Sequence, residues 1–285
     1  MKHPIAALLL IAAAACAPLP KAASIPLPAG ARYVALGSSF ASGPLLGLPK
    51  PGSLARCARS ALNYPTLLAQ RLGLTLVDVS CGGATTLHIL GPWNELPAQI
   101  DSVTADTRLV TLSIGGNDVG YVAGLIAASC RAGAPYRPGP CAPKTAPAEQ
   151  DFARLESNLR EIVRQVALHA PDARFVVVQN IMLVAPEPCA AVTIDPADAA
   201  ASRAIALRIA AITARVARET RTFLLSSDVL SRRHTACSVE PWSNGMAPGY
   251  DGSKGAPWHP NAAGMKAVAD ALAAELGAGS SNRAP

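Results

Sequence analysis

Short apolar runs alternate with helical patterns along most of this chain, and this alternation limits the fold more than any other sequence feature. Five runs have the length and composition of strands, at residues 32–36, 74–79, 109–114, 174–178 and 222–225. Several are apolar on both faces, as is typical of a parallel sheet that helices cover on each side. The sequence therefore predicts an α/β fold: one doubly wound, flavodoxin-like domain of three layers around a five-stranded parallel sheet.

The segments between these runs predict the helices. Residues 149–169 place apolar side chains at steps of three and four, which is the pattern of an amphipathic helix. Asp195 and Pro196 are a favourable N-cap and first helical residue, and they predict the start of a long Ala-rich helix. Two more helices are predicted at residues 64–72 and 261–276, the second after a long loop.

The N-terminus is predicted to be a targeting segment. A basic start precedes an apolar run over residues 5–15, which is too short to span a bilayer. Residues 13–16 (AAAC) resemble a bacterial lipobox, in which Cys16 would carry the lipid, although the first position is alanine where leucine is usual. Ordinary cleavage near residues 15–23, without a lipid, is the alternative. Either route predicts export across the inner membrane, to the cell envelope or the medium.

The domain organisation follows from these segments. Residues 1–15 are predicted to be the signal peptide and residues 16–30 a Pro/Ala tether. Residues 31–278 are predicted to form the folded domain, and residues 279–285 a flexible tail. No run of 18 apolar residues indicates a membrane-spanning helix.

The cysteines support an exported protein. With Cys16 set aside as the lipid site, six of the seven remain, and none has the spacing of a zinc or thioredoxin motif. An oxidising compartment favours disulfides, and six cysteines allow fifteen pairings. The alternative is that one or two are free buried thiols. Pairing each cysteine with its neighbour predicts Cys57–Cys81, Cys130–Cys141 and Cys189–Cys237.

Composition excludes several classes of function. Half of the residues are hydrophobic and 15% are charged, which excludes a disordered protein. The net charge of +6 is not clustered with aromatic residues, so no nucleic-acid partner is expected. No P-loop, dinucleotide-binding or zinc-protease motif occurs, and no cofactor or metal is expected.

Four polar or glycine-containing segments follow the predicted strands or precede the last helix. Ser39 follows the first strand, Gly83 the second and Asn117 the third, and His259 comes just before the last helix. In a doubly wound sheet, ligands bind beyond the carboxyl ends of the strands. A serine needs a base, usually histidine, to accept its proton, and a glycine N–H or an asparagine amide can stabilise an oxyanion.

These segments resemble those of the SGNH (GDSL-type) serine esterases and lipases, and are most similar to the secreted actinobacterial lipase branch. YVALGSSFASG resembles the nucleophile segment, CGGATT the glycine segment, LVTLSIGGNDVGY the asparagine segment and WHPNAAG the histidine segment. The resemblance implies that Ser39 is the nucleophile and His259 the base. It implies that the oxyanion donors are the Ser39 and Gly83 N–H groups and the Asn117 side chain. The predicted cysteine pairs also match the disulfides of that branch.

Two positions depart from the family pattern. Ser38 stands where the family usually has aspartate, which leaves Ser38 as an alternative nucleophile to Ser39. Ala256 stands where the family often has the third, acidic member of the triad. We expect the Ala256 carbonyl to orient His259, as a main-chain carbonyl does in some members; the alternative is the Asp251 carboxylate.

The resemblance implies a carboxylic ester hydrolase that acts through an acyl-enzyme on lipid esters or short acyl chains. An acyltransferase, a deacetylase of acetylated carbohydrate and a non-catalytic binding lipoprotein are the alternatives. A monomer is expected, with membrane association through a lipid on Cys16.

Overall fold

A sheet of five parallel strands forms the centre of the fold. The computed structural model describes residues 27–187 and 189–277. Its strands are β1 (Arg32–Gly37), β2 (Thr75–Asp78), β3 (Thr107–Ser113), β4 (Arg174–Val178) and β5 (Phe223–Leu225). Their order is β2-β1-β3-β4-β5, and every neighbouring pair is parallel. This topology confirms the predicted doubly wound α/β fold.

Helices cover both faces of the sheet. From β1 the chain moves outward to β2, whereas from β3 it moves the other way to β5, so right-handed crossovers place their helices on opposite faces. Helix α2 packs against α8, and α5 packs against α3 and α6. The helices are α1 (Ser39–Ser42), α2 (Tyr64–Leu72), α3 (Thr86–Leu90), α4 (Tyr121–Arg131), α5 (Glu149–His169), α6 (Pro196–Thr220), α7 (Ser227–Leu230) and α8 (Ala262–Gly277).

Side-chain caps explain where two of the helices begin. The Asn63 side chain accepts from the Thr66 N–H at 3.0 Å at the start of α2. The Asp195 side chain accepts from the Ala197 N–H at 2.8 Å at the start of α6. Helix α4 was not expected, because its Ala- and Gly-containing sequence has no clear polar face. In the part of the chain that the structure describes, no helix has the length and apolarity needed to cross a membrane.

All three predicted disulfides are present and confirm the pairing of neighbouring cysteines: Cys57–Cys81, Cys130–Cys141 and Cys189–Cys237. The signal peptide, Cys16, most of the Pro/Ala tether and the C-terminal tail lie outside the described residues, so these remain predictions.

Candidate active site

Ser39 lies at a sharp turn between β1 and α1, and the backbone explains why a glycine precedes the two serines. Gly37 has a φ of 146°, in the region that favours glycine. A Cβ atom on Gly37 would lie 2.5 Å from the Ser113 carbonyl oxygen, so no larger residue fits between β1 and β3. The Ser38 N–H donates to the same oxygen at 3.0 Å. The close approach of the two strands thus positions Ser39 at the carboxyl edge of the sheet.

Gln99 holds the peptide groups of the last strand residue, and the sequence analysis did not single it out. Its Oε1 accepts from the Gly37 N–H at 2.7 Å, and its Nε2 donates to the Gly37 carbonyl at 3.0 Å. The same carbonyl accepts from the Cys81 N–H at 3.0 Å. Gln99 is buried and 62 residues away in sequence, so no local motif could have linked it to Ser39.

His259 reaches Ser39 from the long loop that precedes α8. Its Nε2 lies 2.8 Å from the Ser39 Oγ, and its Nδ1 lies 2.8 Å from the Pro257 carbonyl oxygen. A carbonyl oxygen can only accept, so Nδ1 carries the hydrogen of the neutral ring. Nε2 is then free to accept the Ser39 hydroxyl proton, which is the arrangement of a serine and its general base.

The carbonyl that orients His259 is therefore not the predicted one. We expected Ala256, but its carbonyl accepts instead from the Asn244 Nδ2 at 3.2 Å. Pro257 lies one residue closer to the ring, and the loop turns so that its oxygen meets Nδ1. A main-chain carbonyl does fill the place of the missing acid, as expected, but from the next residue.

Burial keeps His259 neutral. Both His259 and Ser39 are 8% exposed. Burial lowers the pKa of His259 to about 4, while the hydrogen bond to the Pro257 carbonyl acts in the opposite direction. The imidazole is thus unprotonated near pH 7, which is the state a base requires.

Asp251 does not reach His259. Its carboxylate accepts from the Ser253 N–H at 2.9 Å, and this local hydrogen bonding lowers its pKa. Ser38, the alternative nucleophile, is buried at the N-cap of α1, and within the described chain His259 forms its serine contact with Ser39 instead.

Trp258 anchors the loop that carries His259. It is fully buried, and its Nε1 donates to the Ser129 Oγ of α4 at 3.0 Å. Its φ of 55° lies in the left-handed region, which a bulky residue adopts only where the surrounding structure imposes it. The neighbouring His259 carbonyl accepts from the Asn244 N–H at 2.9 Å.

The predicted oxyanion donors belong to segments that lie side by side. The Asn117 Nδ2 donates to the Ala84 carbonyl at 2.9 Å, which joins the asparagine segment to the glycine segment and leaves its second hydrogen available. Within residues 27–187 and 189–277, no acceptor is found for the N–H of Ser39 or of Gly83. Gly83 has a φ of 86°, and a Cβ atom there would lie 3.3 Å from the Trp93 ring.

Two further polar contacts support this edge. Asp118 accepts from the Thr86 N–H at 3.0 Å and also from the Thr86 hydroxyl, and burial raises its pKa. The His88 Nδ1 accepts from the Thr85 N–H at 3.0 Å, and its ring stacks on Trp93. In the part of the chain that the structure describes, the Ser39 hydroxyl has its hydrogen bond with His259, not with the Asp118 carboxylate or the His88 imidazole. Among the described residues, no three His, Cys, Asp or Glu side chains are grouped so that they could hold a metal ion.

The chain is similar in sequence to known lipases. A family model described as the GDSL-like Lipase/Acylhydrolase family matches residues 35–267. Lipase 2 of Streptomyces coelicolor is 31% identical over 255 residues, which cover 84% of this chain and 83% of that protein.

Solved structures also share the fold. The extracellular lipase of Streptomyces rimosus has a TM-score of 0.66 and 26% identity, and the match covers 85% of this chain and 98% of that one. Phospholipase A1 of Streptomyces albidoflavus has the same TM-score at 24% identity, over 85% of this chain and 99% of that one. With most of its length matched in sequence and in fold, the protein belongs to the GDSL-like lipase/acylhydrolase family and is a carboxylic ester hydrolase.

Proposed function

We propose that the protein cleaves esters through an acyl-enzyme on Ser39, with His259 as the base. The observation that carries this proposal is the 2.8 Å contact between the His259 Nε2 and the Ser39 Oγ, with the other ring nitrogen held by a carbonyl. Nε2 takes the hydroxyl proton as Oγ attacks the ester carbonyl carbon. The same proton then passes to the departing alkoxide, and the alcohol leaves.

Hydrolysis completes the cycle. His259 removes a proton from a water molecule, the resulting hydroxide attacks the acyl-enzyme, and the proton returns to the Ser39 Oγ as the acid is released. The developing oxyanion is stabilised by the N–H groups of Ser39 and Gly83 and by the Asn117 amide. Such donors typically supply about 3 kcal/mol each in the transition state.

The pair acts as a dyad. The Pro257 carbonyl fixes the tautomer of His259 but carries no full negative charge, so the imidazolium formed during the reaction is less stabilised than in a full triad. The low pKa of His259 fits this environment, because the ring is buried and, among the described residues, no charged group acts to favour its protonation.

Esters of lipids are the proposed substrates. The names of the relatives in Streptomyces, a lipase and a phospholipase A1, support this class. Three disulfides in the described domain and the extracellular S. rimosus relative support export, and we propose that Cys16 carries the lipid anchor. We also propose a monomer, in which the Ser39–His259 pair forms without a residue of a second copy.

The decisive test compares Ser39→Ala with its neighbour Ser38→Ala. A series of p-nitrophenyl esters from acetate to palmitate is expected to show turnover for the wild type and for Ser38→Ala, and a loss of about 10⁴-fold or more for Ser39→Ala. A fluorophosphonate should label Ser39, as mapped by mass spectrometry. A label on Ser38, or an unlabelled but folded wild type, would contradict the mechanism. Addition of an alcohol distinguishes transfer from hydrolysis by its products.

A further inference from the structure

Exposed leucines are concentrated in one loop beside the site. Of the eleven large hydrophobic residues that the described chain exposes, four lie within residues 45–62. The other seven are spread between residues 87 and 239. Monomeric proteins expose single apolar residues commonly, but a contiguous group indicates an interaction site. We call this group the leucine rim; it consists of Leu45 (54% exposed), Leu48 (79%), Leu54 (47%) and Leu62 (42%).

The loop that carries the rim is joined to three segments of the proposed catalytic site: those of the nucleophile, the histidine and the glycine. The loop begins at α1, where the Ser60 N–H donates to the Ser42 carbonyl at 2.8 Å. The Pro44 carbonyl accepts from the Ala256 N–H at 3.0 Å, which joins the loop to the segment before His259. At its other end the Cys57–Cys81 disulfide joins the loop to the glycine segment.

The loop holds its leucines outward by its own backbone. Pro49 and Ser60 form an antiparallel bridge, and a Cβ atom on Gly47 would lie 3.0 Å from the Leu62 side chain, so Leu48 and Leu62 belong to one small surface. Leu45 has a φ of 61°, a left-handed conformation that leucine rarely adopts. These features fix the backbone of the loop in which the leucines are exposed.

The charges of the loop are mostly compensated. Residues 44–62 contain three basic residues and no acidic one. Of these, Lys50 lies 3.1 Å from the Asp78 carboxylate and Arg56 lies 2.7 Å from that of Glu95. The surplus of positive charge is therefore small, and most of the binding must come from the apolar side chains.

We propose that the leucine rim docks the enzyme onto a lipid surface, so that Ser39 and His259 face the layer that supplies the ester. This inference rests on the proposed function. A lipid layer is the occupant that fits, because the rim is apolar with little surplus charge and its loop is joined to the segments of Ser39 and His259, whose proposed substrate is a lipid ester. A neutral surface is sufficient, and anionic lipid adds a small increase.

The test measures binding separately from turnover. All variants carry Cys16→Ser, so that no lipid anchor contributes, and Ser39→Ala, so that no lipid is consumed. Binding to phosphatidylcholine vesicles, with and without phosphatidylglycerol, is measured by flotation. We expect Leu48→Ser combined with Leu62→Ser to weaken binding at least about tenfold. The control, Leu168→Ser combined with Leu207→Ser, changes leucines that are 62% and 51% exposed on α5 and α6, and should stay within about twofold.

A gain of signal keeps the proposal testable if the rim double variant folds poorly. Leu48→Trp should show a blue shift of tryptophan emission on addition of vesicles, and Leu207→Trp should not. The proposal is overturned if the parent protein does not bind vesicles, if the control pair weakens binding equally, or if only anionic vesicles bind and salt abolishes it. It is also overturned if the rim variant instead converts a dimer into a monomer in sedimentation.

The two proposals can fail independently. Rim-dependent binding by a protein whose wild type hydrolyses no ester would leave docking intact and refute the proposed function. Hydrolysis of soluble esters by a protein that does not bind vesicles would support the proposed function and refute docking. In the active background, the ratio of vesicle hydrolysis to p-nitrophenyl butyrate hydrolysis is expected to fall about tenfold for the rim variant and not for the control.

Discussion

The two halves of the Ser39–His259 pair are held by different kinds of structure. Ser39 lies two residues after the end of a six-residue strand, and the backbone of β3 contacts the turn that presents it. His259 follows a long segment between α7 and α8 in which the described chain forms neither a helix nor a sheet strand. Its position depends on a buried tryptophan, one carbonyl and a few loop hydrogen bonds.

This difference predicts how each half responds to mutation. Backbone hydrogen bonds between strands do not depend on particular side chains, so the serine half should be sensitive only where a side chain holds the backbone itself. The loop that carries His259 is held by fewer independent contacts, so the loss of one of them should shift the imidazole ring. A displacement of about 1 Å can cost on the order of 100-fold in rate.

The largest effect is expected at His259 itself. His259→Ala removes the base and should lower kcat about 10⁴-fold, as loss of a member of such a unit does. The assay is p-nitrophenyl butyrate hydrolysis, with circular dichroism to show that the fold is kept. His169→Ala, at the end of α5, is the matched control and should be unchanged. Activity within tenfold of wild type would show that another group accepts the serine proton.

The serine half should be most sensitive at Gln99. Gln99→Met keeps the size but leaves the Gly37 N–H without its acceptor, which should cost about 1–3 kcal/mol of unfolding free energy. If the two hydrogen bonds from Gln99 to Gly37 position Ser39, kcat should fall by about 10- to 100-fold with little change in KM. Gln99→Glu retains the acceptor and should be intermediate. Gln165→Met, on α5, is the control; an unchanged rate of fluorophosphonate labelling in Gln99→Met would limit Gln99 to a structural role.

Activity should be lost only at a pH well below 6.5, the usual pKa of a histidine. The base is active when neutral, so kcat/KM should be level above pH 5 and fall about tenfold by pH 3, since the pKa of His259 is about 4. The free energy of unfolding should also depend on pH, because the pKa of His259 is about 4 in the folded protein and near 6.5 in the unfolded chain. The stability that is present above pH 6.5 should therefore be lost as the pH falls towards 4, by about 3 kcal/mol. The His259→Ala variant should lack this loss. An activity midpoint near pH 6.5 would contradict a buried neutral base.

A smaller effect is expected at the anchor of the histidine loop. Trp258→Phe keeps the ring packing but removes the Nε1–H bond to Ser129, so kcat should fall about tenfold or less, and unfolding free energy by about 1 kcal/mol. Ser129→Ala should have a similar effect, and the double variant should be no worse than either alone. Trp242→Phe is the control. Additive losses would show that the two side chains act separately.

The smallest effect is expected at Asp251. Because its carboxylate accepts from the Ser253 N–H, Asp251→Asn should leave kcat within about threefold. A loss of about 10⁴-fold, the scale for neutralising a triad aspartate, would show that the loop rearranges to bring Asp251 to His259.

The fold and the four site segments could be predicted because they are local or topological signals. Apolar runs of strand length predicted all five strands, and the rule that ligands bind beyond the strand ends brought Ser39, Gly83 and Asn117 to one edge. His259 was predicted by its resemblance to a family segment and its place before α8.

What could not be predicted are contacts that depend on loop conformation or on distant residues. The choice between the Ala256 and Pro257 carbonyls depends on how the loop turns, which no pattern encodes. Gln99 lies in a short turn between β2 and β3 and meets Gly37 only after the sheet has formed. Trp258 lies in the family-like WHPNAAG segment, but its hydrogen bond to Ser129 joins residues 129 positions apart, and no local pattern predicts it.

The Cys57–Cys81 bond has a consequence for the cell that makes this enzyme. It joins the loop that carries the leucine rim to the segment of Gly83. Beside it, the N–H of Gly82, the neighbour of the proposed oxyanion donor, donates to the Cys57 carbonyl at 2.9 Å. Disulfides form only where thiols are oxidised, outside the cytosol. We therefore expect a newly made, reduced chain to lack the crosslink that ties the Gly83 segment to the loop of Cys57. If the protein is exported as proposed, we expect this crosslink to form, and the Gly83 N–H to be fixed in place, only after the chain has left the cytosol.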